Sequence, residues 1–489
     1  MEKVLQNKKE IFEGKKEKQE EHLKKINRLL ICLCAGVLFL LCLKETLGYD
    51  EAYTIGMINR SYLDIIKITA NDVHTPFYYF LLKFFCDMFG PLKIYAAKIF
   101  SLIFFILHLV VGGKLCRKLY GRKVEFYWLL LSGFMPIMVI HSTWARMYTL
   151  GLFLFTVTAY LAYSLYKEET VKKWCLFTAV SVMTMYVHTY SMLEVFVLYL
   201  ILAGVLLKKK RYGSMKAYCI SGAVAGLCYV PWLLVLVKQM GARSGTGTLA
   251  KLTYYGVDVY LAEWFSHSIN PRPLEILFSV ALFIYVSYYV RKYVAETKDY
   301  IPYAGMGIAA VIVTGAVALS AMVVNSFSGR YIFPVFGLIW LFVAVGIEKI
   351  EAFWKKAVIV VLILLCAFFT YKEEWRLEKN EGVEQYLAFM EENLGDNDII
   401  MADIFTDAMI SVYIPDAEYM VYGYKAPYIP FANMEAFYDW GQLEGVDTVW
   451  YVERTPGKAS QLAEHFDTEI VLEFSFSHYD FYLEKATRR

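Results

Sequence analysis

Apolar stretches of roughly 15–20 residues recur along the chain between short polar breaks, and each is near the length that a bilayer core demands of a helix. They run at about Leu29–Leu47, Lys98–Gly113, Val124–His141, Tyr148–Tyr166, Trp174–Val187, Ser191–Leu207, Ala217–Val237, Leu274–Val290, Tyr303–Val324, Ile332–Ile347 and Ala357–Thr370. The pattern predicts about eleven transmembrane helices. After Tyr371 the periodicity changes. Residues 381–489 carry no membrane-length run and alternate between short helical and strand patterns. Val383–Asn393 reads as a helix, Asp398–Ala402 as a strand, and the stretch to Tyr413 as a helix. Glu418–Val421 reads as a strand, Met434–Trp440 as a helix, Thr448–Val452 as a strand and Lys458–Phe466 as a helix. Ile470–Phe476 and Tyr479–Glu484 form a closing hairpin. The predicted architecture is an α-helical polytopic membrane protein with a small C-terminal α/β domain. Its parts are a tail (1–28), a membrane module (29–371) and the α/β domain (372–489).

One stretch breaks the apolar rhythm. Between the first two crossings, residues 47–97 form a long loop that contains an amphipathic piece over Ile55–Thr69 and an aromatic run over Pro76–Phe89. The aromatic run is short and interrupted by Lys83 and Asp87. If it crossed the bilayer, Lys114, Arg117, Lys118, Arg122 and Lys123 would fall outside, against the positive-inside rule. An interfacial helix fits better. With that assignment Lys167, Lys172, Lys173, Lys208–Lys210, Arg211, Arg291, Lys292, Lys355 and Lys356 share a side with the lysine-rich tail. The expectation is a multi-pass plasma-membrane protein with its N-terminus cytoplasmic and its C-terminal domain extracytoplasmic. The first run lacks a small-residue cleavage site after it and reads as a retained anchor.

Composition supports this class. The 489 residues are 58% hydrophobic and 17% aromatic, with mean hydropathy +0.42. A net charge of +2 and the lack of a basic stripe give no sign of a nucleic-acid partner. The nine cysteines contain no C-x-x-C pair and sit mostly inside apolar runs, so neither a disulfide framework nor a zinc site is expected.

The polar residues that remain gather on one expected face. Asp50 and Glu51 follow the first crossing, and Asp72-Val73-His74-Thr75-Pro76 lies in the same loop. His141–Tyr148 forms a very short turn that contains Arg146. Tyr186-Val187-His188 forms another, and Ser328-Gly329-Arg330-Tyr331 opens a late crossing. A carboxylate beside a helix end is ordinarily just solvated, and an arginine there is ordinarily an interfacial anchor. A carboxylate pair followed by Asp-x-His-x-Pro is more than solvation requires. Carboxylates and imidazole move protons, hold cations or orient hydroxyls. An arginine in a turn of two or three residues between apolar helices calls for an anion. His108, inside a crossing, reads as packing. Gly241–Gly247 follows no strand and reads as a flexible loop rather than a phosphate cradle.

The order of these motifs resembles GT-C glycosyltransferases, in particular the branch of protein O-mannosyltransferases and aminoarabinose transferases. The motifs are Asp50-Glu51, Asp72-x-His74-x-Pro76-x-Tyr78-Tyr79, Ala145-Arg146-Met147-Tyr148, Tyr186-x-His188 and Gly329-Arg330-Tyr331-x-x-Pro334. The resemblance covers about residues 29–370, and Thr75 departs from it where many relatives carry a second proline. It implies a sugar donor carried on a polyprenyl phosphate, an acceptor hydroxyl on a glycan, lipid or protein, and Asp50 as the general base. Glu51 would orient the site. Arg146, Arg330, His188 and Tyr331 would meet the donor phosphate. Asp72, His74 and Tyr148 would position the loop or the substrate. Whether Asp72 and His74 shape the loop or help hold a divalent cation is left open by their spacing, and no other cofactor is implied. Two rivals belong to other classes. A lipid or sugar transporter would keep its polar residues near the midplane, and a non-enzymatic scaffold would leave the Asp50–Glu51 pair without a task.

Overall fold

The computed structural model describes residues 2–243, 257–267, 270–322, 327–376, 381–404, 406–413, 419–422, 429–455, 462–476 and 479–489. The chain divides into two compact units. One comprises Met1–Cys42, Ser101–Thr143 and Met147–Glu373. The other comprises Leu43–Phe100, Trp144–Arg146 and Glu374–Arg489. The loop after the first crossing thus belongs to the same unit as the C-terminal domain. The Gly241–Gly247 loop lies largely outside the described residues.

The first unit is helical. Among the described residues the apolar runs read as crossings lie mainly in helices, Val124–His141 in two of them, but not every helix is long enough to cross alone. Among the described residues, eight are long and apolar enough, or nine if the bent pair Arg122–Phe134 and Pro136–Ser142 is one span. The expected count of about eleven is not confirmed among the described residues. The helix Val171–Met185 has 15 residues, which at 1.5 Å per residue reaches only about 22 Å. The bent pair turns by 60° at Met135, whose ψ of 145° is extended because Pro136 excludes the helical region for the residue before it.

Burial ranks the spans. The apolar stretch of Gly329–Lys349 is 83% buried, against 28% for Glu17–Cys42 and 22% for Tyr212–Met240, so the first is the core helix and the other two are largely exposed. Around it, close approach depends on small residues, as expected where apolar burial gives helices no drive to associate. A Cβ on Gly112 would lie 2.2 Å from the Trp128 ring. That indole donates to the Gly337 carbonyl at 2.7 Å. His108 is fully buried and shares a 2.9 Å hydrogen bond with Thr156 Oγ1, in keeping with a packing role.

The second unit is built on a six-stranded sheet, with β1 Ile399–Asp403, β2 Tyr419–Tyr422, β3 Met434–Ala436, β4 Thr448–Glu453, β5 Phe466–Phe476 and β6 Tyr479–Arg488. The order is β3-β2-β1-β4-β6-β5. The first four are mutually parallel, and the β5–β6 hairpin closes one edge antiparallel. All six residues of β4 are buried, as a strand covered on both faces requires. One face packs Met401, Val449, Tyr451, Leu462 and Phe466 into a core. On the helix Glu381–Asn393, Tyr386 stacks near Phe474 and Phe389 meets Trp450. Met434–Trp440, expected to be helical, is instead the short strand β3 followed by a turn at Trp440–Leu443 that Asp439 caps. Its helical pattern loses to parallel pairing, with Met434 opposite Tyr419 and Ala436 opposite Val421. Of the expected helix Lys458–Phe466, residues 458–461 lie outside the described residues and Phe466 opens β5.

In the same unit the loop folds into three ten-residue helices, Tyr49–Ile58, Tyr62–Asn71 and Phe77–Cys86. The expected amphipathic piece Ile55–Thr69 is broken where Ser61 caps the second helix, accepting from the Asp64 N–H at 3.1 Å. Phe77–Cys86 spans about 15 Å, too short to cross a bilayer.

Candidate active site

Asp50 and Glu51 stand in the first turn of the Tyr49–Ile58 helix, at the positive end of its dipole. Their side chains do different work. Glu51 is buried, and both its oxygens are committed to backbone donors. Oε2 accepts from Gly48 N–H at 2.8 Å, closing the helix start, and Oε1 accepts from Ala145 N–H at 2.9 Å. Burial pushes the Glu51 pKa up, while nearby Lys98 and the two N–H bonds oppose the shift. Glu51 therefore ties the 144–146 turn to the start of the Asp50 helix. Asp50 is only half-buried, and its carbonyl accepts from Thr54 Oγ1 at 3.0 Å and from Arg146 Nη1 at 3.2 Å.

Arg146 is 4% exposed and reaches four acceptors. Besides the Asp50 carbonyl, Nη1 donates to Thr54 Oγ1 at 3.3 Å and Tyr79 OH at 3.5 Å. Nη2 donates to His74 Nε2 at 2.8 Å. The other His74 nitrogen, Nδ1, lies 2.6 Å from Asp72 Oδ2, which also accepts from Tyr53 OH at 2.8 Å. A guanidinium can only donate, so His74 Nε2 is the acceptor and Nδ1 carries the proton. The imidazole thus bridges a carboxylate and a guanidinium. Burial opposes the Asp72 charge, but the adjoining His74 and the hydrogen bonds from His74, Tyr53 and the Val73 backbone hold its pKa well below the usual carboxylate range. Local sequence makes this turn. Asp72 caps the end of Tyr62–Asn71, and Pro76, which has no N–H to waste, starts Phe77–Cys86.

Both imidazole nitrogens are engaged, one with the Asp72 carboxylate and the other with the Arg146 guanidinium. No group of three His, Cys, Asp or Glu side chains converges as metal ligands among the described residues.

The remaining expected site residues, Tyr148, His188, Arg330 and Tyr331, come together in the first unit. His188 caps the helix Thr189–Lys208, its Nδ1 accepting from Tyr190 N–H at 3.2 Å. In the neutral ring the proton then sits on Nε2, which can donate. Its ring centroid lies 4.9 Å from that of Tyr331 and 6.4 Å from that of Tyr148. The Arg330 guanidinium stands over the Tyr148 ring at 6.0 Å.

Glu263 anchors this cluster and carries no sequence motif. Its Oε1 accepts from Arg330 N–H at 3.0 Å and from Ser328 Oγ at 3.2 Å. Burial raises its pKa, and the Arg330 charge with these bonds pulls it back. A Cβ on Gly329 would stand 2.5 Å from Glu263 Oε2 and 2.7 Å from Trp264 Nε1, so the motif glycine makes room for both. The only signal in the sequence was one acid inside the otherwise apolar Tyr260-Leu-Ala-Glu263-Trp264-Phe265. Tyr53 and Thr54 were likewise missed, and Tyr79 was noted only as the end of a motif. They are ordinary helix residues until Arg146 and Asp72 are placed.

No protein-family model matches the chain, and no curated protein matches it by sequence. Solved structures match it in fold. ArnT from Cupriavidus metallidurans bound to undecaprenyl phosphate has a TM-score of 0.62 at 10% identity, with 93% of this chain and 97% of that one covered. ArnT in the apo state has a TM-score of 0.56 at 12% identity, with the same coverage. An oligosaccharyltransferase from Archaeoglobus fulgidus has a TM-score of 0.45 at 11% identity, over 78% of this chain and 61% of that one. The fold is therefore that seen in ArnT, a polytopic helical module with a small C-terminal α/β domain.

Proposed function

We propose that this chain is an integral-membrane glycosyltransferase that moves a sugar from a polyprenyl-phosphate donor to an acceptor hydroxyl on the outer face of the membrane. The observation that carries the reading is the Asp50 turn. One half-buried carboxylate starts a helix whose backbone is held by Arg146, His74 and Asp72, while the neighbouring Glu51 is fully used as a brace. The ArnT-like fold supports the donor class, since that protein was solved with undecaprenyl phosphate.

In this reading Asp50 accepts the acceptor hydroxyl proton as the oxygen attacks the anomeric carbon. The bond from that carbon to the phosphate oxygen breaks, and its electron pair leaves with the lipid phosphate. Displacement in one step inverts the anomeric configuration. The leaving phosphate gains negative charge, which fixed donors lower most in cost. Arg330, His188 through Nε2–H, and Tyr331 supply that role, with Tyr148 backing the Arg330 guanidinium. Arg146 was expected among the phosphate ligands. Its bonds to the Asp50 carbonyl and His74 favour a different task, holding the base and its helix in place. A lipid-linked donor needs no nucleotide fold, which accords with the lack of a phosphate-cradling motif.

The test is mass spectrometry of lipid-linked sugars and envelope glycans from cells carrying the gene, lacking it, or carrying Asp50→Asn. Loss of one glycan modification together with build-up of one polyprenyl-phosphate sugar is expected for both the deletion and the variant. Wild-type profiles in the variant would remove Asp50 as the base.

A further inference from the structure

Along the Asp50 helix, Tyr49, Tyr53 and Gly56, with Arg60 just beyond its end, recur at steps of four, three and four residues and so share one face. Each of them meets the C-terminal domain. Tyr49 OH donates to the Ile404 carbonyl at 2.8 Å and to Asp407 Oδ1 at 3.1 Å. Tyr53 meets Phe431 edge to face, with centroids 6.2 Å apart. Gly56 lies directly under the same ring, where a Cβ would stand 2.3 Å from Phe431 Cδ1. Arg60 Nη2 donates to the Ile429 carbonyl at 2.8 Å. Glycine weakens a helix interior relative to alanine, so its presence at this contact has a packing reason.

Ile404 follows the last residue of β1, while Ile429 and Phe431 lie on the segment that leads into the amino end of β3, where the Asn433 carbonyl accepts from Tyr419 N–H at 3.0 Å. We propose that Ile404, Asp407, Ile429 and Phe431 form the positioning platform for the Asp50 helix. Phe431, fully buried, is its central positioning residue. From Phe431 the contact passes through Tyr53 to Asp72, His74, Arg146 and the Asp50 carbonyl. The functional consequence rests on the role proposed for Asp50; the docking itself does not.

The experiment is hydrogen–deuterium exchange on the full chain in nanodiscs, for wild type, Phe431→Ala, Phe431→Leu and Tyr49→Phe, with the same variants assayed in cells for the lipid-linked sugar pool. In Phe431→Ala the Tyr49–Ile58 amides should exchange at least about tenfold faster, with the Phe336–Lys349 helix unchanged. Transfer should fall by a similar factor, and Phe431→Leu should recover most of both. Tyr49→Phe removes one hydroxyl and should speed exchange over Tyr49–Ile58 by roughly threefold. It decides the matter if Phe431→Ala loosens the whole sheet. Unchanged protection over Tyr49–Ile58 in both Phe431→Ala and Tyr49→Phe would overturn the platform, whatever the activity. Lost protection with wild-type transfer would overturn its positioning role. Wild-type transfer by Asp50→Asn would remove the base and leave the exchange result to judge the docking.

Discussion

Asp407 offers a quantitative test of how tightly the C-terminal domain is closed. It is 2% exposed, and burial raises its pKa from 3.8 to about 7; nearby Asp403 adds to the shift, while the Ala408 N–H and Tyr49 OH bonds oppose it. An acid whose pKa is raised on folding favours the folded state fully at pH below its unfolded value. That benefit is lost as pH climbs to the folded value. The window is thus from about pH 4 to about pH 7. A shift of about 3 units at about 1.4 kcal/mol each amounts to about 4 kcal/mol. Asp407→Asn keeps an Oδ1 to accept from Ala408 and Tyr49 but cannot ionise. Its melting temperature should match wild type near pH 4 and exceed it by roughly 10 °C at pH 8, since 1 kcal/mol moves a unit of this size by about 2–4 °C. Thermal unfolding in detergent, followed by proteolysis of the C-terminal domain across that range, reads the difference. An offset between variant and wild type that stays constant with pH would refute the buried-carboxyl argument.

Three further outcomes follow from the site. Arg146→Lys keeps a charge but cannot span His74 and the Asp50 carbonyl at once, so lipid-linked sugar transfer in membranes should fall by roughly 10- to 100-fold. His74→Ala removes the bridge between Asp72 and Arg146 and should cost about 2–3 kcal/mol, measured as lost thermal stability of the loop unit. Gly329→Ala pushes a methyl against Glu263 and Trp264, and on the proposed donor role of Arg330 the binding of a polyprenyl phosphate, followed by native mass spectrometry, should weaken by roughly tenfold.

The sequence revealed the membrane class and the polar motifs because both are local. Apolar runs need no partner to be read, and Asp50, Glu51, Asp72, His74 and Arg146 stood out as polar groups among apolar ones. The structure brings those five into one hydrogen-bonded unit. What escaped was pairwise. Met434–Ala436 is a strand only because β2 lies beside it, which its own residues do not announce. The bond from Arg146 to the second imidazole nitrogen of His74 joins residues 72 positions apart, which neither motif announces. Tyr49, Gly56 and Phe431 gave no signal because contacts across more than 300 positions of sequence define them. The span count of about eleven is not confirmed, because apolar composition does not measure helix length, as Val171–Met185 illustrates.

The most direct trial of the account is the polyprenyl-phosphate sugar pool of cells expressing wild type, Asp50→Asn or no protein, resolved by liquid chromatography and mass spectrometry. The account predicts that one lipid-linked sugar rises to the same level in the variant as in the deletion, with the variant protein folded and abundant in the membrane. A pool that is identical in all three strains, or a variant indistinguishable from wild type, would contradict it.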